Sequence, residues 1–161
     1  MKNYAFIDSQ NLYLGIKYLN WKLDYKKFRV YLNDKYKVEV AYLFIGYISE
    51  NQDLYQSLQK AGFVLIHKEG MKLPNGMIKG NCDAELVLQT MIELKNFHKA
   101  VIVSGDGDFS CLIKYLYKQN KLEKLLVPDQ KRYSALLKKT GKDKIDFISS
   151  LKSKLEKNTK I

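Results

Sequence analysis

The chain has 161 residues, 46% of them apolar, and a formal net charge of +11 from 28 Lys+Arg against 17 Asp+Glu. Such a length and apolar content predict one folded domain with a core large enough to stand without disulfides, and they exclude a disordered chain. No apolar run approaches the roughly 20 residues of a membrane-crossing helix, and the opening MKNYAFIDS lacks the extended apolar region of a secretory leader, so no membrane partner is expected.

NYAFID (3–8) reads as a strand ending on Asp8, and SQNLYLGIKYL as a helix with Leu12, Ile16 and Leu19 on one stripe and Asp8 or Ser9 as its cap. Residues 24–34 predict a second helix, VEVAYLFIGY (38–47) a strand, 51–60 a helix closed by Gly62, and FVLIHK a third strand. Pro74-Asn75-Gly76 marks a turn between two short segments, hence a hairpin or exposed loop. The helix NCDAELVLQTMIELKNF (81–97) is read with Ala84, Val87, Leu88, Met91 and Leu94 facing inward and Asp83 on that face in the first turn. KAVIVS (99–104) is a fourth strand, 108–118 a helix, KLLVP a fifth strand and 133–140 a helix. KIDFIS is a short sixth strand or a turn, and SLKSKLEKNTKI a basic, fraying tail.

Strands alternating with helices on short connections imply a central parallel sheet covered on both faces by helices, with ligands gathering beyond the carboxyl ends of the strands. Asp8 ends the first strand, Asp106 and Asp108 follow the fourth, and Asp83 opens the helix leading into the fourth. All four therefore fall on one sheet edge. Taken singly, Asp8 and Asp108 also read as helix caps, and Asp83 as an acid favoured by the helix dipole. Together, four carboxylates in a cleft need a counter-charge. An all-oxygen set without a Cys/His cluster suits Mg²⁺ or Mn²⁺, ions that support attack on a phosphodiester. Asn11 would face the same cleft, Ser104 would hold a phosphate or a metal-bound water, and Gly105 and Gly107 would let the chain turn tightly. Lys72 and Lys79 read as loop lysines unless the site lies beneath them, where Lys79 would suit phosphate contact. Glu85 reads as solvated. Tyr13, Tyr18 and Tyr25 are expected to pack, and Trp21 to be partly exposed. Cys82 and Cys111 form no metal-type spacing and are expected as free thiols in a cytoplasmic protein.

Residues 1–108 carry 14 basic and 12 acidic side chains, residues 109–161 carry 14 and 5. A basic excess so concentrated suits a surface that meets a polyanion, although lysine-rich helices also serve solubility alone.

Three blocks, FIDSQNLY, KGNCDAELVLQTM and VSGDGDFSCLI, resemble the NYN (LabA-like) branch of the PIN-like nuclease superfamily in order and spacing. The resemblance covers residues 4 to about 127. It implies a three-layer α/β/α fold with strand order 3-2-1-4-5 and a Mg²⁺- or Mn²⁺-dependent ribonuclease site of Asp8, Asp83, Asp106 and Asp108. Asn11 and Ser104 would support that site, and Lys79 matches the family's lysine ahead of the helix aspartate. The expectation is a nuclease domain over 1–149 and a basic tail over 150–161, acting on RNA phosphodiester bonds, with the surface from Lys114 to Lys144 on the RNA backbone. An exposed apolar strand edge would support a homodimer. The competing reading is an RNA-binding or regulatory module of the same fold with little turnover. A small-phosphoester phosphatase ranks below both, because FIDSQN offers one acid at the first strand's end where that chemistry needs two.

Overall fold

The computed structural model describes residues 1–47, 52–69, 71–72, 78–79 and 81–158. Elements run β1 (Asn3–Asp8), α1 (Ser9–Tyr18), α2 (Tyr25–Tyr36), β2 (Val38–Tyr47), α3 (Gln52–Lys60), β3 (Phe63–Glu69), β4 (Met71–Lys72), β5 (Ile78–Lys79) and α4 (Asp83–Ile92). They continue with β6 (Ala100–Val103), α5 (Ser110–Lys118), β7 (Leu122–Val127), α6 (Ala135–Gly141), β8 (Ile145–Phe147) and α7 (Lys152–Leu155). Six strands form one parallel sheet in the order β3-β2-β1-β6-β7-β8. The predicted order is met, and the short segment at 145–147 extends it by a sixth strand. β4 and β5 make a separate antiparallel pair; the turn expected at Pro74-Asn75-Gly76 lies outside the described residues.

Alternation along the strands divides the core in two. Ala5, Ile7, Leu43, Val101 and Val103 face α1, α2 and α7. Phe6, Phe44 and Ile102 face the other side, with Leu86 of α4, Leu112, Ile113 and Leu116 of α5 and Leu137 of α6. Each of the larger of these side chains withdrawn from water stabilises the fold by about 1.5–3 kcal/mol before entropy is counted.

Local chemistry fixes the helix starts. The Asp24 carboxylate accepts from Lys27 N, and the Ser134 hydroxyl from Leu136 N, at α2 and α6. α4 differs from its predicted form. It ends at Ile92; Leu86 and Thr90 are its buried residues and Val87, with Leu94 just beyond it, packs against the core as expected, whereas Ala84, Leu88 and Met91 are exposed. Thr90 fits the core because its hydroxyl donates to Leu86 O at 2.8 Å.

The C-terminal segment is docked through residue 157. Leu155 is buried against the core, Leu23 and Glu156 form a β-bridge, and Lys157 N donates to Lys22 O at 2.8 Å. Among the described residues no helix is long and apolar enough to cross a membrane, and both cysteines are free thiols.

Candidate functional site

β1 and β6 are neighbours with Ile7 opposite Val103, so the next residues on each, Asp8 and Ser104, emerge side by side at the carboxyl edge of the sheet. Asp8 caps α1: its Oδ1 accepts from Asn11 N at 3.3 Å, and its Oδ2 accepts from Ser104 Oγ at 3.1 Å. Ser104 Oγ in turn accepts from Asp106 N at 3.0 Å. Asn11 Oδ1 accepts from Gly105 N at 2.7 Å, which pins the start of the loop to α1. Asp106 caps a 3₁₀ turn at Gly107–Phe109 by accepting from Asp108 N at 2.9 Å. Asp83 enters from the other face of the sheet as the first residue of α4, its amide donating to Asn81 Oδ1 at 3.2 Å.

These contacts bring Asp8, Asp83 and Asp106 together: one carboxylate oxygen from each lies within 4.8 Å of the others. Asp108 stands outside that trio, exposed, on the loop that follows. Capping and convergence are compatible, since Asp8 and Asp106 each perform both. Lys79 lies on β5, four residues ahead of Asp83. Ser104 is buried, its hydroxyl engaged by both Asp8 and the Asp106 amide.

Burial and the neighbouring carboxylates act in one direction on Asp8 and Asp83. Burial, then the charges of Asp8, Asp106, Asp108 and Glu85, push the Asp83 carboxyl up to about 6. Asp8 is also raised, chiefly by burial, against the lowering effect of its bonds from Asn11 N and Ser104 Oγ. The Cys82 thiol beside them is pushed up to about 11 by burial and Glu85, so it stays protonated at neutral pH and the donor set remains all-oxygen. Three converging carboxylates whose charges oppose one another fit a hard divalent cation.

The glycines in the loop act by leaving space. Neither Gly105 nor Gly107 has a positive φ, which among the described glycines belongs to Gly62 alone; a Cβ on Gly107 would fall 2.9 Å from Ser134 Cβ. The 3₁₀ turn at Gly107–Phe109 therefore forms without left-handed backbone.

A match to the NYN domain model spans residues 4–147. The chain belongs to the NYN family. That family is part of the PIN-like nuclease superfamily, so the resemblance read from the three blocks is met over a longer stretch than the blocks themselves. The fold is shared with the crystal structure of a protein of unknown function, VPA0982, from Vibrio parahaemolyticus RIMD 2210633. The two are 22% identical with a TM-score of 0.75, over 91% of this chain and 93% of that one. No curated protein matches the chain.

Several neighbours of this NYN site escaped sequence reasoning. Glu85, read as solvated, is turned toward β3 and pairs with Lys68 Nζ at 3.4 Å. One flank of α1 is sealed residue by residue against the loops beyond β6 and β7. Asn11 meets Gly105, Gly15 meets Pro128, and Tyr18 lies beneath the Arg132 guanidinium at 4.4 Å. Tyr13 and Tyr18, expected to pack, are 57% and 64% exposed, while Trp21 is 8% exposed. The i, i+4, i+7 spacing of residues 11, 15 and 18 was the available signal for that seam.

Proposed function

We propose that this NYN domain is a divalent-metal-dependent endoribonuclease, with Asp8, Asp83 and Asp106 as ligands of a Mg²⁺ or Mn²⁺ ion. The observation that supports the reading is the convergence of those carboxylates from β1, α4 and the loop after β6 on one sheet edge. When bound there, the ion supplies positive charge that aligns and activates a water and offsets the charge of a phosphodiester under attack. The chain's own groups prepare that chemistry. Ser104 fixes the rotamer of Asp8 while anchoring the Asp106 amide. Asn11 ties the loop to α1, so Asp106 is held relative to Asp8 before any ion arrives. Asp108 extends the acidic surface toward the substrate or a second ion. Lys79 is assigned to the phosphate on the α4 side, and Lys131 and Arg132, on the loop after β7, to the backbone beyond it.

Four of the basic residues between Lys114 and Lys144 are engaged or placed elsewhere. Lys121 donates to Phe97 O, Lys124 pairs with Asp146 at 3.7 Å, and Lys142 and Lys144 precede β8 at the opposite edge. The RNA path is therefore assigned to the carboxyl edge and α1, in place of the whole C-terminal third.

The test is cleavage of end-labelled single-stranded and structured RNA with Mn²⁺, Mg²⁺ or EDTA, by wild type and by Asp8→Asn and Asp106→Asn prepared in parallel. Cleavage that requires the ion and disappears in both variants supports the reading. RNA binding without cleavage in any metal favours the binding-module reading, and cleavage surviving in the variants places the activity elsewhere.

A further inference from the structure

The flank of α1 turned away from the Gly105–Pro128–Arg132 seam borders a cavity of about 550 Å³. Its chemistry is one-sided: Tyr13, Trp21 and Tyr25 supply aromatic wall, Lys17, Lys22 and Lys157 supply charge, and no acidic side chain lines it. Burial pushes the Tyr25 hydroxyl up to about 12, so it remains a neutral hydrogen-bonding group. Tyr13 is more than half exposed, with Lys17 Nζ 5.8 Å from its ring centroid. The docked C-terminal segment completes the wall, because the Lys157–Lys22 backbone bond holds Lys157 at the rim. A second hollow of about 620 Å³ adjoins it, sharing Asn20, Trp21, Lys22 and Lys157.

Position connects this cavity to the acidic site. α1 starts at Asp8, so at about 1.5 Å of rise per residue Tyr13 lies about 8 Å, and Lys17 about 14 Å, along the helix from the carboxylate. A nucleic-acid strand leaving the site along this flank meets the Tyr13 ring, then Lys17, and then the Trp21 wall with Lys22 and Lys157 beside it. Aromatic platforms interleaved with lysines suit unstacked bases and their phosphates. A duplex keeps its bases stacked inside and offers such a hollow only its backbone.

We propose that this cavity is a nucleobase subsite: it receives one unstacked base of a single-stranded RNA, with Lys17, Lys22 and Lys157 on the flanking phosphates, and so selects single strands for the acidic site. The proposal rests on the ribonuclease reading for the direction of the strand, but its test does not use catalysis.

Trp21 is the only tryptophan and lies in the cavity wall, so its emission reports on occupancy. The full chain is titrated in EDTA with an eight-nucleotide oligouridylate, the matching duplex and uridine monophosphate, following Trp21 emission and, for labelled RNA, anisotropy. The single strand is expected to change Trp21 emission saturably. Tyr13→Ala should weaken binding by roughly 5- to 150-fold, the range of one lost base stack. Lys17→Ala should reduce the slope of log K against log salt by about 0.7. Both residues are exposed on α1, and circular dichroism checks that the variants fold. Strand binding by anisotropy without a change in Trp21, or with both variants at wild-type affinity, overturns the proposal. So does a duplex that binds as tightly, or a mononucleotide that matches the oligomer, which would make this a free-nucleotide site. If metal-dependent cleavage fails while the Trp21 response persists, the ribonuclease reading falls and the subsite stands.

Discussion

The Ser104 hydroxyl donates to Asp8 Oδ2 at 3.1 Å while accepting the Asp106 amide at 3.0 Å, so one buried side chain ties the acid that ends β1 to the acid on the loop after β6. Ser104→Ala removes both bonds without opening space. The Asp106 N–H is left unpaired at a destabilisation of about 1–2 kcal/mol. Cleavage is expected to fall roughly 10- to 100-fold, the usual effect of losing a residue that orients a metal ligand. Melting curves and single-turnover rates separate the two effects.

The raised carboxyl of Asp83 carries a pH signature. Its folded value of about 6 stands above the ordinary 3.8, so the folded protein holds its proton more tightly than the unfolded chain. The resulting stability is fully present below pH 3.8 and is lost as pH rises through about 6. Asp83→Asn should therefore raise the Tm of the metal-free protein above pH 6 and leave it unchanged near pH 4. With the group partly solvated, the gain is about 1 kcal/mol or less, a few degrees. Mn²⁺ should stabilise wild type in the same neutral range, and EDTA should reverse it.

Gly107 packs against Ser134, the cap of α6. Gly107→Val should displace the loop that carries Asp106 and Asp108, lowering cleavage more than it lowers Tm. Equal losses in both would make the contact a matter of stability alone.

The segment after β8 belongs to the folded core. Leu155 is 1% exposed, so Leu155→Ala should cost about 2–5 kcal/mol and lower the Tm by roughly 5–15 °C. A Tm within 2 °C of wild type would mean that α7 contributes nothing to the fold.

Arg132 provides the sharpest test of the RNA path. Its guanidinium lies over Tyr18 and 3.5 Å from Asp129, and its side chain is 62% exposed. Arg132→Ala is expected to reduce the salt slope of RNA binding by about 0.7, whereas Lys142→Ala, at the far edge, should leave it unchanged. The reverse pattern would move the RNA to the amino edge of the sheet.

The strand order and the acidic trio were legible in the sequence because both depend on local grammar. Each aspartate ends a strand or opens a helix or turn, and parallel topology then sends those ends to one edge. Other features depend on what a neighbour supplies. Val87 and Leu94 of the predicted α4 stripe do pack inward, but Leu88 and Met91 were preferred to Thr90 because they are more apolar, and Thr90 is accommodated in the core by its bond to Leu86 O. Glu85 looked solvated until β3 brought Lys68 to it. The basic surplus of the last third looked like one surface, yet Lys142 and Lys144 fall on the turn before β8, at the edge away from Asp8. The docking of 155–157 onto 22–24 pairs segments with no shared pattern to announce it.

The most direct measurement is the Mn²⁺ dependence of the single-turnover RNA cleavage rate for wild type and Asp83→Asn. The expected result is saturable activation of wild type, with the variant slower at every concentration and needing more Mn²⁺ for half its own maximum. Equal rates with the same metal dependence would contradict the assignment of Asp8, Asp83 and Asp106 as one metal centre.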